Sequence, residues 1–127
     1  MALHALLRRR LSESEAQERI ALELQRVVAS ADPDEVILFG SACRGELTDG
    51  SDVDFLALFQ SEEKIWVGRG AYYRSRSLTG APVDILFLTR DEFDARSRVG
   101  GVCFVAAREG RIVHRRGIPQ RGEPDES

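Results

Sequence analysis

Three short runs in this sequence carry almost no polar residue: residues 36–39, 55–59 and 83–88, the last broken only by Asp84. Successive side chains of a strand point to opposite faces, so a run without alternation has to be covered on both sides. Helical segments flank these runs. Ser12, with Glu15 three residues on, reads as a capping box. Ala16, Ile20, Leu24, Val27, Val28 and Ala31 then follow at helical spacing, predicting a helix to about Ser30. Asp32-Pro33-Asp34 stops it, because Pro33 disfavours helix at the residue before it. The spacing also predicts a short helix over residues 42–47 and a less regular one over 64–78, interrupted by Gly68 and Gly70. Thr89 and Glu92 cap another near Arg90, and a last one is expected over 101–108, ended by Gly110. Residues 111–114 read as a closing strand. This alternation predicts an α+β (α/β-like) domain, a mixed β-sheet of about three to five strands with helices packed on it.

The 127 residues suit one domain, expected over 12–116. Residues 1–11 read as an N-terminal extension, and the Gly-, Pro- and charge-rich residues 117–127 as a disordered tail. A formal charge of −3 gives no whole-molecule attraction to nucleic acid or to an anionic membrane, so no direct nucleic-acid binding is expected. No apolar run approaches the ~20 residues that span a bilayer. Cys43 and Cys103 have no C-x-x-C spacing, which predicts a reducing, cytoplasmic setting.

Chemistry concentrates around residues 40–54, G-S-A-C-R-G-E-L-T-D-G-S-D-V-D. Asp52 and Asp54 are two apart and share a strand face, with Leu56 and Leu58 continuing it. On the later strand Asp84 shares a face with Leu86 and Leu88. If these strands are neighbours, three carboxylates meet at one edge of the sheet. Such a group raises its own pKa values unless a cation sits among them. Carboxylate oxygens suit Mg²⁺, and no Cys/His cluster competes for a softer metal. Gly40 lets backbone approach a ligand closely, Ser41 adds a hydroxyl donor, and Arg44 lies one turn on. The absence of Gly-Lys-Ser/Thr excludes a Walker A loop.

Gly40-Ser41, ten residues, Asp52-Val53-Asp54 and then Asp84 on a later strand together resemble the DNA polymerase beta-like nucleotidyltransferase superfamily. The longer string G-S-A-C-R-G-E-L-T-D-G-S-D-V-D-F-L resembles its small prokaryotic branch, the minimal nucleotidyltransferases (MNT). The resemblance implies the nucleotidyltransferase fold, a mixed sheet with helices on one face. It implies transfer of a nucleoside monophosphate, AMP from ATP, to a hydroxyl. Asp52, Asp54 and Asp84 would be catalytic and would hold two Mg²⁺ ions. Gly40, Ser41 and Arg44 would bind the nucleotide. Cys43 stands where the branch usually has alanine. It also implies a partner, a helical HEPN-type toxin that the MNT chain counters as antitoxin. Two other readings stay open: a small-molecule, aminoglycoside-like transferase acting as a homo-oligomer, and a non-catalytic antitoxin module.

Overall fold

The computed structural model describes residues 9–76 and 83–117. The first helix, α1 (Glu13–Ala31), starts on the capping box that the sequence specifies. Ser12 Oγ accepts from the Glu15 N–H at 3.1 Å, and Glu15 Oε1 accepts from the Ser12 N–H at 2.8 Å. Two otherwise orphaned donors are thereby satisfied. The helix ends where Asp32 turns left-handed at φ 53°, its N–H donating to the Val28 carbonyl.

The remaining elements are β1 (Glu35–Phe39), β2 (Val53–Phe59), α2 (Glu62–Ser75), β3 (Val83–Thr89), α3 (Arg90–Ser97), α4 (Gly101–Glu109) and β4 (Arg111–Arg115). The strands form one sheet in the order β3-β2-β1-β4. β1 runs antiparallel to both β2 and β4, while β2 and β3 are parallel. The parallel pair is joined by α2, the crossover that such a pair requires. This is the expected mixed α+β sheet, with four strands and four helices among the described residues.

Both faces of the sheet are covered. On one, Ile20 and Val27 of α1 and Ile65 and Tyr72 of α2 pack on Val36, Leu38, Phe55, Ala57, Phe59 and Phe87. On the other, Phe93 of α3 and Cys103 and Ala106 of α4 pack on Ile37, Leu56, Leu58 and Leu88. Helices on one face, the arrangement implied by family resemblance, is therefore corrected. The reason is in the strands: leaving either apolar face in water would forgo about 25 cal/mol for each Å² left uncovered.

A second correction concerns residues 42–47, which form no helix. A single 3₁₀ turn (Gly40–Ala42) follows β1. Gly45 then takes φ +74°, and Leu47, 1% exposed, is drawn into the α1 side of the core. Burying Leu47 wins over continuing a helix in a segment too short to nucleate one. Arg9 to Leu11 lie against this loop. The Leu11 N–H donates to the Leu47 carbonyl and the Asp49 N–H to the Arg9 carbonyl, both at 2.9 Å. The second helix ends at Ser75. The end expected for it at Leu78, the turn at residues 79–82, residues 1–8 of the extension and the tail from 118 lie outside the described residues. Among the described residues no helix is long and apolar enough to cross a membrane.

Candidate active site

The sheet register assembles the site. β2 and β3 pair in parallel with Asp54 beside Asp84. β1 and β2 pair antiparallel with Phe39 opposite Asp54, so Gly40 leaves the sheet at that same end. Asp54 is half-buried and continues into Leu56 and Leu58, which pack under α3 and α4. Asp84 is exposed on the edge strand, and Asp52 is exposed immediately before β2.

Gly40 explains itself in this setting. Its φ is +76°, a region glycine enters without penalty. A Cβ built there would overlap Asp54 Oδ2 and stand 3.1 Å from Asp54 Cγ. The Asp54 carboxylate thus lies directly over the Gly40 backbone, and any side chain would displace it. Ser41 is half-buried, and its hydroxyl has no partner among the described residues. The 3₁₀ turn is closed by the Cys43 N–H on the Gly40 carbonyl at 3.1 Å and the Glu46 N–H on the Ser41 carbonyl at 2.9 Å.

Electrostatics ties the three acids together. Burial pushes the Asp54 pKa above its ordinary 3.8, and the charges of Asp84 and then Asp52 push it further, while Arg44 opposes them. Among the described residues none of the three carboxylates has an ion-pair or side-chain hydrogen-bond partner. Mutually repelling carboxylates without an ion-paired base among the described residues are a donor set that suits a hard divalent cation. The chain does not by itself close a cage: among the described residues no three His, Cys, Asp or Glu side chains are grouped to hold a metal. Mg²⁺ needs only one or two protein carboxylates and completes its octahedron with water and phosphate. Asp52, Asp54 and Asp84 are thus brought to one end of the sheet, sharing a field.

Arg44 reaches the field of Asp54, but its Nε is paired with Glu46 Oε1 at 3.0 Å. To clamp a phosphate it has to leave that exposed pair, which costs little. Two supports were missed in the sequence. Arg19 of α1 donates to the Thr48 carbonyl at 3.3 Å and the Ser51 carbonyl at 2.6 Å, gripping the loop that delivers Asp52. Its signal was position: Arg19, Glu23 and Val27 fall at i, i+4, i+8 on the inward face of α1. The second is Cys43, whose thiol donates to the Glu109 carbonyl at 3.3 Å, tying the Gly-Ser turn to the end of α4. A branch alanine could not make that bond.

Residues 18–113 of the 127 match the nucleotidyltransferase domain family. The chain belongs to this family. Among solved structures, it is similar to a protein from Sulfolobus solfataricus assigned as a nucleotidyltransferase. The two are 24% identical, with 84% of this chain and 91% of that chain covered, at a TM-score of 0.52, a likeness of fold alone. Comparison with curated proteins gave no match. The family match runs from within α1 to within β4, so it includes β1, β2, β3 and all three acids. Nucleotidyl transfer is the activity of this family.

Proposed function

We propose that this nucleotidyltransferase domain moves AMP from ATP, with Mg²⁺, onto a hydroxyl of a partner protein, as the antitoxin of a toxin–antitoxin pair whose helical partner is of HEPN type. The observation that carries the transfer is the register of Asp54 beside Asp84, with Asp54 seated on the backbone of Gly40. The acceptor oxygen attacks the α-phosphorus and forms a new O–P bond. The bond to the bridging oxygen of the β-phosphate breaks, and pyrophosphate leaves with its electron pair. Asp84, exposed at the edge, takes the acceptor proton. Asp52 and Asp54 would hold the divalent ions, which when bound supply charge neutralisation at the triphosphate and an acidified acceptor. Gly40 admits the phosphates close to the backbone, Ser41 donates its hydroxyl, and Arg44 exchanges Glu46 for a phosphate oxygen. Positioning and fixed charge supply most of the acceleration in such a reaction.

A protein partner is in keeping with the exposed apolar side chains of this chain. Val102, Phe104 and Val105 on α4, Val99 before it and Ile112 on β4 are all exposed, Val99 to 87%. An apolar surface of this kind is what a protein partner would cover, if these side chains are contiguous. The test is intact mass spectrometry of a HEPN-type protein co-expressed with this chain. Added AMP is expected, and its loss in an Asp52→Ala/Asp54→Ala double variant. Labelling retained by that variant would sink the reading. A partner bound tightly but never modified identifies a non-catalytic antitoxin instead.

A further inference from the structure

The solvent side of α2 is not the polar face that a surface helix normally turns outward. Trp66, Val67 and Tyr73 stand on it, exposed to 76%, 64% and 53%. Ile65, Gly68 and Tyr72 occupy the opposite side of the helix, against α1 and the sheet. Positions three and four apart are neighbours on a helix. Glu63, Trp66, Val67, Gly70, Tyr73 and Arg74 therefore form one continuous face centred on Gly70. Among the described residues nothing requires glycine at that centre. At Gly68 a Cβ would strike the Ala31 carbonyl, whereas at Gly70 the nearest atom is Nη1 of Arg74, at 3.1 Å, the end of a flexible exposed side chain. The roughly 0.5–1 kcal/mol that glycine costs inside a helix is thus not returned by packing within the chain. Close approach of a second backbone would return it. Charge is also ordered along α2: Glu62 and Glu63 lie in its first turn, Arg74 in its last, and Arg76 caps it.

We infer that α2 is the contact of a symmetric dimer, in which a second copy of this chain crosses it antiparallel at Gly70. A two-fold contact has to be self-complementary, and this face is. Counting outward from Gly70, each residue meets the one equally far out on the other side of the second copy's Gly70. Arg74 swings its guanidinium over the Trp66 ring of the second copy, and Tyr73 packs on the second copy's Val67. Each acidic first turn comes against a basic last turn, whereas a parallel pair would set acid on acid. Trp, Tyr and Arg are the side chains that carry most of the binding energy of interfaces, and a guanidinium over an indole adds cation–π attraction. A nucleic-acid strand also takes aromatic and basic side chains, but Glu62 and Glu63 would repel its phosphates. The dimer leaves the rest of the molecule free. α2 runs back from the far end of β2 to the start of β3, so its C-terminus lies at the site end of the sheet. In the antiparallel pair the two sites are therefore at opposite ends, and neither lies in the contact. α4, on the other face of the sheet, stays uncovered.

Trp66 is the only tryptophan of the chain, so its fluorescence reports this face directly. Sedimentation equilibrium and Trp66 emission are measured together from about 1 µM to 1 mM, the range of weak to moderate affinities. Monomer should convert to dimer, and the emission should move to shorter wavelength along the same curve. Gly70→Gln puts a long side chain at the crossing and a better helix former in the helix. It should raise the dissociation constant at least about tenfold, near 1.4 kcal/mol, while the dilute monomer melts no lower than the parent. Should that variant melt lower, Arg74→Glu at an exposed position takes its place, removing the guanidinium from Trp66 and setting acid against acid across the contact. A chain that stays monomeric throughout, a dimer in which Trp66 emission does not move, or a variant that dimerises like the parent overturns the assignment. An emission shift that appears only on adding oligo-dT, with the chain still monomeric, also overturns it and makes this face a nucleic-acid surface.

Discussion

At the scale of single residues, the pairing of Gly40 with Asp54 sets the sharpest expectations. Gly40→Ala adds one methyl group, and that methyl group lands on the Asp54 carboxylate. It also forces an L-residue to φ +76°. The carboxylate has to move, and a displacement near 1 Å at a reacting centre costs on the order of 100-fold in rate. Single-turnover transfer should fall by that factor while the far-UV spectrum is unchanged. Asp54→Asn tests the electrostatics with opposite signs in activity and stability. The Asp54 pKa is raised in the folded state, so the folded protein holds this proton more tightly than the unfolded chain. Asp54 is therefore neutral and without cost at low pH, and its charge becomes a cost as pH rises past 3.8 through its own folded value. In metal-free buffer at pH 7 the asparagine variant should melt higher than the parent, and the gain should vanish below pH 3.8. A lower melting temperature at pH 7 would show that Asp54 has a stabilising partner after all. Activity should be lost in the same variant.

At the scale of elements, the contact of α1 with α2 turns on Gly68. A glycine inside a helix normally costs about 0.5–1 kcal/mol against alanine, which on its own would make Gly68→Ala a stabilising change. Here a Cβ would stand 2.5 Å from the Ala31 carbonyl and 2.9 Å from Phe59 Cε2. Overpacking of that kind costs about 1–3 kcal/mol, so the net effect is destabilising. Denaturant unfolding should show a lower midpoint at unchanged slope. Local signals of this sort decide what the sequence reveals. The caps at Ser12 and Thr89 and the doubly apolar strands depend on neighbours in sequence, and they were legible. Coverage of both sheet faces followed from the strands themselves. The failure at residues 42–47 has a non-local cause, the burial of Leu47 against α1. The site divides similarly. Asp52, Asp54 and Asp84 could be placed on faces by period alone. Their meeting required β2 and β3 to be parallel neighbours in one particular register, and no spacing in a single chain fixes that. Arg19 and the Cys43–Glu109 bond were hidden for the same reason, since each joins segments distant in sequence.

At the scale of the whole molecule, the site is a stability debt that ligand should discharge. Three acids, unpaired among the described residues, share one sheet end in a chain whose net charge is already −3. Their repulsion opposes the folded state until a cation enters. A ligand that binds only the native state adds RT ln(1 + [L]/Kd), about 2.7 kcal/mol at a hundredfold excess over Kd. In a domain of this length that corresponds to a rise of roughly 10 °C in Tm. Mg²⁺-ATP should produce a shift of that order, growing with the logarithm of concentration. ATP with EDTA should produce much less, because the triphosphate then adds negative charge to negative charge. The Asp52→Ala/Asp54→Ala variant should invert the pattern, melting above the parent in EDTA and failing to respond to Mg²⁺-ATP. Scanning calorimetry of both proteins under the three conditions separates the terms. A parent that does not respond, or a double variant that responds equally, would mean that the acids are not where the nucleotide and its metal bind.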